Sequence, residues 1–125
     1  MRRVVKKLME EEPQQPLELG TYDHTIIGEL EVIVNKVREL HLCPEYWTLT
    51  APVFEDLTQK LGLNKMQVLL IGVLIDDDTP LSWSDLGNKM GISRIRMLTY
   101  ASEMKDLIIK QWVRRIRKRN RDNAL

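Results

Sequence analysis

Cysteine occurs once, at Cys43, which excludes an internal disulfide and suits a reducing compartment. Histidine occurs twice, at His24 and His41, at the two ends of one expected helix, so no His/Cys group has the spacing of a zinc site. None of the six glycines precedes a Lys-Ser or Lys-Thr pair, and the phosphate cradle of a P-loop is therefore missing. Aromatic residues are scarce at 6%, so packing falls to aliphatic side chains and methionine. No apolar run approaches the roughly 20 residues that span a bilayer, and no membrane partner is expected. No nucleophile stands beside a recognisable base. The expectation is a chain with no catalytic residue, no metal and no cofactor.

What is present suits one compact domain. With 125 residues, 43% of them hydrophobic and 30% charged, the composition is that of an ordinary globular fold. The basic stretch Met1 to Lys7 runs into Glu10 to Glu12 with no apolar segment between, so a secretory signal is not expected and the reading is cytoplasmic. The net charge of +1 conceals a division. Residues 1–92 hold 9 Lys/Arg against 15 Asp/Glu, a net of −6, whereas residues 93–125 hold 10 against 3, a net of +7. Such an acidic body with a basic last third fits a localised anion-binding surface; a solvated basic tail is the plainer reading.

Three units follow from the pattern: a flexible segment 1–23, a helical pair 24–63, and a unit 64–125, with 24–125 forming one body. Pro13 and Pro16 disfavour a helix in the first segment. Ile26, Ile27, Leu30, Ile33, Val34, Val37 and Leu40 recur at helical spacing and predict a helix from Thr25 to Leu42, with Glu29, Glu31, Lys36, Arg38 and Glu39 on the wet face and Pro44 ending it. A second helix is predicted over Ala51–Leu61, with Thr50 as N-cap, Pro52 in the first turn and Gly62 beyond the end. Tyr46 and Trp47 then fall in a linker, as a cap on the core or a docking patch for a partner. A third helix opens at Asn64 with Gln67 three residues on, a capping-box pair, and Val68 to Ile75 make it apolar on nearly every side. Asp76, Asp77 and Asp78 close it as an acidic turn; consecutive acids lack the spaced oxygens of a calcium loop.

From Leu81 the order of elements becomes specific. Leu81 to Trp83 reads as a short extended piece, Ser84 as the cap of a brief helix to Met90, Gly91-Ile92 as a tight turn, and Ser93 as the cap of a longer helix. That helix places Ile95, Met97, Leu98, Ala101, Met104, Leu107 and Ile108 inward. Gln111 to Arg119 reads as a charged strand. Short helix, three-residue turn and longer helix make a helix-turn-helix, and a following strand begins a wing. The expected fold class is mainly α: a winged helix-turn-helix with two extra N-terminal helices and a minimal β-ribbon, in which Leu81 to Trp83 pairs with the wing.

Ser84-Asp85-Leu86, the Met90 to Ser93 turn, Met97-Leu98, Tyr100, Met104, Leu107-Ile108, and Lys110 before Trp112-Val113 resemble the N-terminal winged-helix domain of bacterial AAA-type ATPases. Such domains often carry glycine before the wing strand, where this chain has Gln111. The resemblance implies a nucleotide-hydrolysing module further along a longer polypeptide. Asn120 to Asn123 has the composition of a hairpin turn with two residues after it, which agrees with a chain cut within its wing. The expected function is DNA binding without catalysis. Arg94, Arg96 and Thr99, with Ser102 and Glu103 beside them, would face the major groove, while Arg114, Arg115, Arg117, Lys118, Arg119 and Arg121 would hold phosphates. The alternative is a docking or regulatory domain of such an ATPase, binding protein through the acidic N-terminal helices. Target sequence and oligomeric state are not legible.

Overall fold

The computed structural model describes residues 18–77 and 79–116, and among them the chain is mainly helical, with no strand. Six helices follow in order: α1 (Ile26–Leu40), α2 (Pro44–Leu61), α3 (Lys65–Asp76), α4 (Trp83–Met90), α5 (Arg94–Met97) and α6 (Ala101–Ile109), the last two joined by a 3₁₀ turn at Leu98–Tyr100. The first three pack on one another, and α3 also meets α4 and α6, so one core holds both halves of the chain. Leu19 and Tyr22 pack against that core, so the expected flexible segment gives way to packed chain over its last residues; residues 1–17 lie outside the described residues. No helix among the described residues is long and apolar enough to cross a membrane.

Local chemistry sets the boundaries. The Thr25 hydroxyl accepts from the Gly28 backbone N–H at 3.1 Å and starts α1. The helix stops at Leu40, two residues earlier than its pattern predicts, because His41 turns the backbone to φ 61°. Pro44 does not end α1 but opens α2, at the first helical position, where a missing N–H costs nothing. Consequently α2 is seven residues longer than expected, and Thr50 lies inside it, its buried hydroxyl donating to the Tyr46 carbonyl at 2.7 Å. Tyr46 is a core residue rather than part of a linker. Its ring meets Trp47 and Phe54 at edge-on angles, and its hydroxyl donates to the Ile33 carbonyl of α1 at 2.8 Å. Burial pushes the phenol pKa above its ordinary value. Lys65 sits 4.6 Å from the Trp47 ring, closing the outer side of this cluster.

The centre is α3. Every residue from Met66 to Val73 is buried, which suits an element with no wet face. Asn64 and Gln67 form the expected capping box, with Gln67 N–H on the Asn64 side chain at 2.9 Å and Asn64 N–H on Gln67 Oε1 at 3.1 Å. The same Gln67 amide donates from Nε2 to Asp106 Oδ2 at 2.7 Å and to the Glu103 carbonyl at 3.3 Å, so one side chain starts α3 and holds α6. At the far end, Arg38 pairs with Asp76, tying α1 to α3, and Lys89 pairs with Asp77 at 3.0 Å, tying in α4. Asp77 is held down at about 2 by the Thr79 backbone N–H and then by Lys89.

Glu29 departs from its expected wet face. It is 1% exposed, and its Oε1 lies 3.6 Å from the Lys60 ammonium without accepting a hydrogen bond. Burial raises its pKa above 4.5, Asp56 adds to the rise, and Lys60 opposes it. A raised folded-state pKa gives stability that is complete below the unfolded value and is lost as pH rises through the folded one.

Two outcomes follow from this packing. Gln67→Ala removes a reciprocal cap and the bond to α6 together, and should cost about 1–2 kcal/mol in urea unfolding. Glu29→Gln should unfold at a higher temperature than the parent chain at neutral pH, with the advantage vanishing below about pH 4.5. An advantage that grows on acidification would contradict the burial assigned to this carboxyl.

Candidate nucleic-acid interface

Arg94, Arg96 and Thr99 follow the corner between α4 and α5, whereas Arg114 and Arg115 lie beyond α6. Helix α4 begins two residues earlier than expected, because Ser82 rather than Ser84 is its N-cap. Ser82 and Asp85 form a second capping box, Asp85 N–H on Ser82 Oγ at 3.0 Å and Ser82 N–H on Asp85 Oδ2 at 3.1 Å. Leu81 and Ser82 thus lead into α4 and Trp83 is its first residue, so the expected extended piece that would pair with a wing is not formed.

The corner itself is tight. Gly91 takes φ 74°, a left-handed backbone that suits glycine, and the Ile92 N–H reaches back to the Gly87 carbonyl at 2.9 Å. A Cβ on Gly87 would stand 2.8 Å from Met97 Cγ, so the missing side chain lets α5 close on α4. Ser93 accepts from the Arg96 N–H at 3.1 Å and starts α5, as its position suggests. The Leu42 N–H donates to the Met90 carbonyl at 2.9 Å, which fixes the corner to the α1–α2 junction.

The helix after the turn differs from the expectation of one continuous rod. It runs four residues, tightens into the 3₁₀ turn and resumes as α6. Its inward residues are Met97, Tyr100, Met104 and Leu107, at spacings of three, four and three. Ile95 is 80% exposed and Leu98 66% exposed, so neither belongs to the inward stripe expected of them. Ala101 is exposed as well.

Arg94, Arg96, Thr99 and Ser102 all reach solvent, and Glu103 is half-buried. Residues two apart on a helix differ by about 200°, so Arg94 and Arg96 leave it on opposite sides and do not share one reading face. The Arg96 side faces α2: with Pro44, Trp47, Ile92 and Tyr100 it lines a cleft of about 470 Å³. Arg114 and Arg115 are exposed on irregular chain, and the stretch from Gln111 to Ile116 is not a strand. Arg117, Lys118, Arg119 and Arg121 lie outside the described residues.

Charge pairing divides the chain. Lys36, Arg38, Lys60 and Lys89 each meet a carboxylate. Among the described residues Arg94, Arg96, Lys105, Arg114 and Arg115 meet none, and Lys110 alone in this part pairs, with Asp106 at 3.1 Å. Between Lys110 and the arginines, Gln111 takes φ 68°. Its N–H donates to the Ile108 carbonyl at 3.1 Å and the Trp112 N–H to the Leu107 carbonyl at 2.9 Å, closing α6 with a Schellman cap. A left-handed glutamine costs on the order of 1 kcal/mol that glycine avoids. Gln111→Gly should therefore stabilise the chain by up to about 1 kcal/mol in thermal unfolding. A loss of stability would mean that the cap is not left-handed in solution.

No protein-family model, curated protein or solved structure matches the chain.

Proposed function

We propose that the chain is a non-catalytic, cytoplasmic domain that binds duplex nucleic acid, with DNA as its ligand. One observation carries the reading: among the described residues Lys36, Arg38, Lys60 and Lys89 of the acidic body pair with carboxylates, while Arg94, Arg96, Lys105, Arg114 and Arg115 after the tight turn stand exposed and meet none. An unpaired, solvated arginine gives up little on meeting a phosphate and releases a condensed counterion there.

In this reading α4, the Gly91–Ser93 turn and α5 through α6 act as a helix-turn-helix, and the basic stretch from Trp112 onward begins a wing. The resemblance to N-terminal domains of bacterial AAA-type ATPases supports it, and an ATPase module on a longer chain is part of the same proposal. Gln111 adds support, because its left-handed backbone falls where those domains often carry glycine. Arg114 and Arg115 hold phosphates. Of Arg94 and Arg96, one reads base edges and the other lies against the chain's own surface or the backbone of the duplex.

Fluorescence anisotropy with mixed duplex DNA tests this. Affinity should fall linearly, in logarithms, as salt rises, and Arg115→Ala should weaken all sequences alike while making that slope shallower. Arg94→Ala and Arg96→Ala should differ, with a cost of about 1–3 kcal/mol on a preferred site for only one of them. Absence of binding at low salt, or affinity indifferent to salt, removes nucleic acid as the ligand and leaves the docking role.

A further inference from the structure

A second surface lies on the other side of the exposed helix. Leu74 of α3, Trp83 of α4, and Met104 and Ile108 of α6 form the floor of an open groove of about 750 Å³. Leu98 at 66% exposure and Ile116 at 59% form its lip. Among the described residues its charged lining is Lys105, Arg114 and Arg115, with no carboxylate. An apolar floor open to water beside a one-signed rim marks a protein-binding site more than a phosphate-binding one, because a phosphate gains nothing from the floor.

We propose that this groove takes an amphipathic helix from a partner protein, its apolar stripe flanked by Asp and Glu. Charge complementarity selects the acidic flanks: the three cations and no anion that line it among the described residues favour carboxylates and oppose a basic segment. The walls select a helix. Strand addition needs a free sheet edge, and the described residues contain no strand, whereas a groove walled by α3, α4 and α6 suits anchors at i, i+3 or i+4, and i+7. Arg114 and Arg115 belong to this rim and to the proposed phosphate contacts, so helix and duplex compete.

The test is direct binding of synthetic helices to the intact chain, followed by anisotropy of a fluorescein label. One probe has leucine at i, i+3/i+4 and i+7 with glutamate on the flanks; a second replaces glutamate by lysine; a third scrambles the first. The glutamate helix should bind at least about tenfold more tightly than the other two, a difference of about 1.4 kcal/mol. Leu98→Asp, at an exposed position that leaves the core untouched, should weaken it about tenfold. The double reversal Arg114→Glu with Arg115→Glu should make the lysine helix the better ligand, with circular dichroism confirming the fold of each variant. Equal binding of the three helices, no binding of any, or indifference to Leu98→Asp overturns the proposal. So does a concentration-dependent dimer, seen by sedimentation, that Leu98→Asp dissolves, since the occupant would then be a second copy.

Discussion

A helix with no wet face forces everything around it. Helix α3 is buried from Met66 to Val73, and every polar group it carries must find a partner in the protein. Its backbone satisfies itself except at the two ends, and at the first turn four N–H groups have no helical acceptor. The Asn64–Gln67 box answers part of that need, and Gln67 is itself buried, so its amide needs acceptors of its own. It finds them in Asp106 and the Glu103 carbonyl. The requirement that starts the central helix thereby fixes the rotation of α6, and with it which residues beyond the tight turn face water.

The N-terminal helices enter the same chain of constraints. Tyr46 is bonded to the Ile33 carbonyl, so α2 cannot slide along α1 without burying an unpaired hydroxyl. The short connection between them is bonded through Leu42 to Met90, at the last turn of α4. His41 stands so close to Gly91 that a Cβ there would lie 2.2 Å from its Cγ. The corner presenting the candidate residues is thus built jointly by both parts of the chain. Two domains hinged at residue 63 would not share these contacts, which is why one body over the described residues is the better description.

Legibility followed how local the determining physics is. Caps are local: Asn64 with Gln67, Gly62 past α2, and the Gly91 to Ser93 turn stand where their residue types place them. Ser82 with Asp85 is the same kind of signal as Asn64 with Gln67, and it places the start of α4 at Trp83. Pro44 reads equally as a stop or a first residue, and only the packing of Tyr46 on Ile33 decides between them. The helix after the turn carried two overlapping stripes, one through Ile95 and Leu98 and one through Met97, Tyr100, Met104 and Leu107. Hydrophobicity does not separate them. The narrow approach at Gly87 does, because it admits Met97 and so turns Leu98 outward. The burial of Glu29 is likewise not a local signal, since it arises from α2 lying across it and not from its own neighbours in sequence.

That outward turn gives the two proposed ligands, duplex and acidic helix, different surfaces of one element. Arg94 and Arg96 leave α5 on opposite sides, and the apolar lip at Leu98 opens on the groove with Met104 and Ile108. Phosphate binding draws on counterion release and weakens as salt rises. Burial of an apolar stripe does not depend on counterions, and only its carboxylate flanks are screened. The two surfaces therefore rank differently as ionic strength changes, and Arg114 and Arg115 are where they meet. If both proposals hold, a duplex bound at low salt would occupy those arginines and disfavour the acidic helix. At higher salt the arginines would be released while the groove floor kept its attraction. Occupancy would then be set by competition for two side chains, without any change of fold.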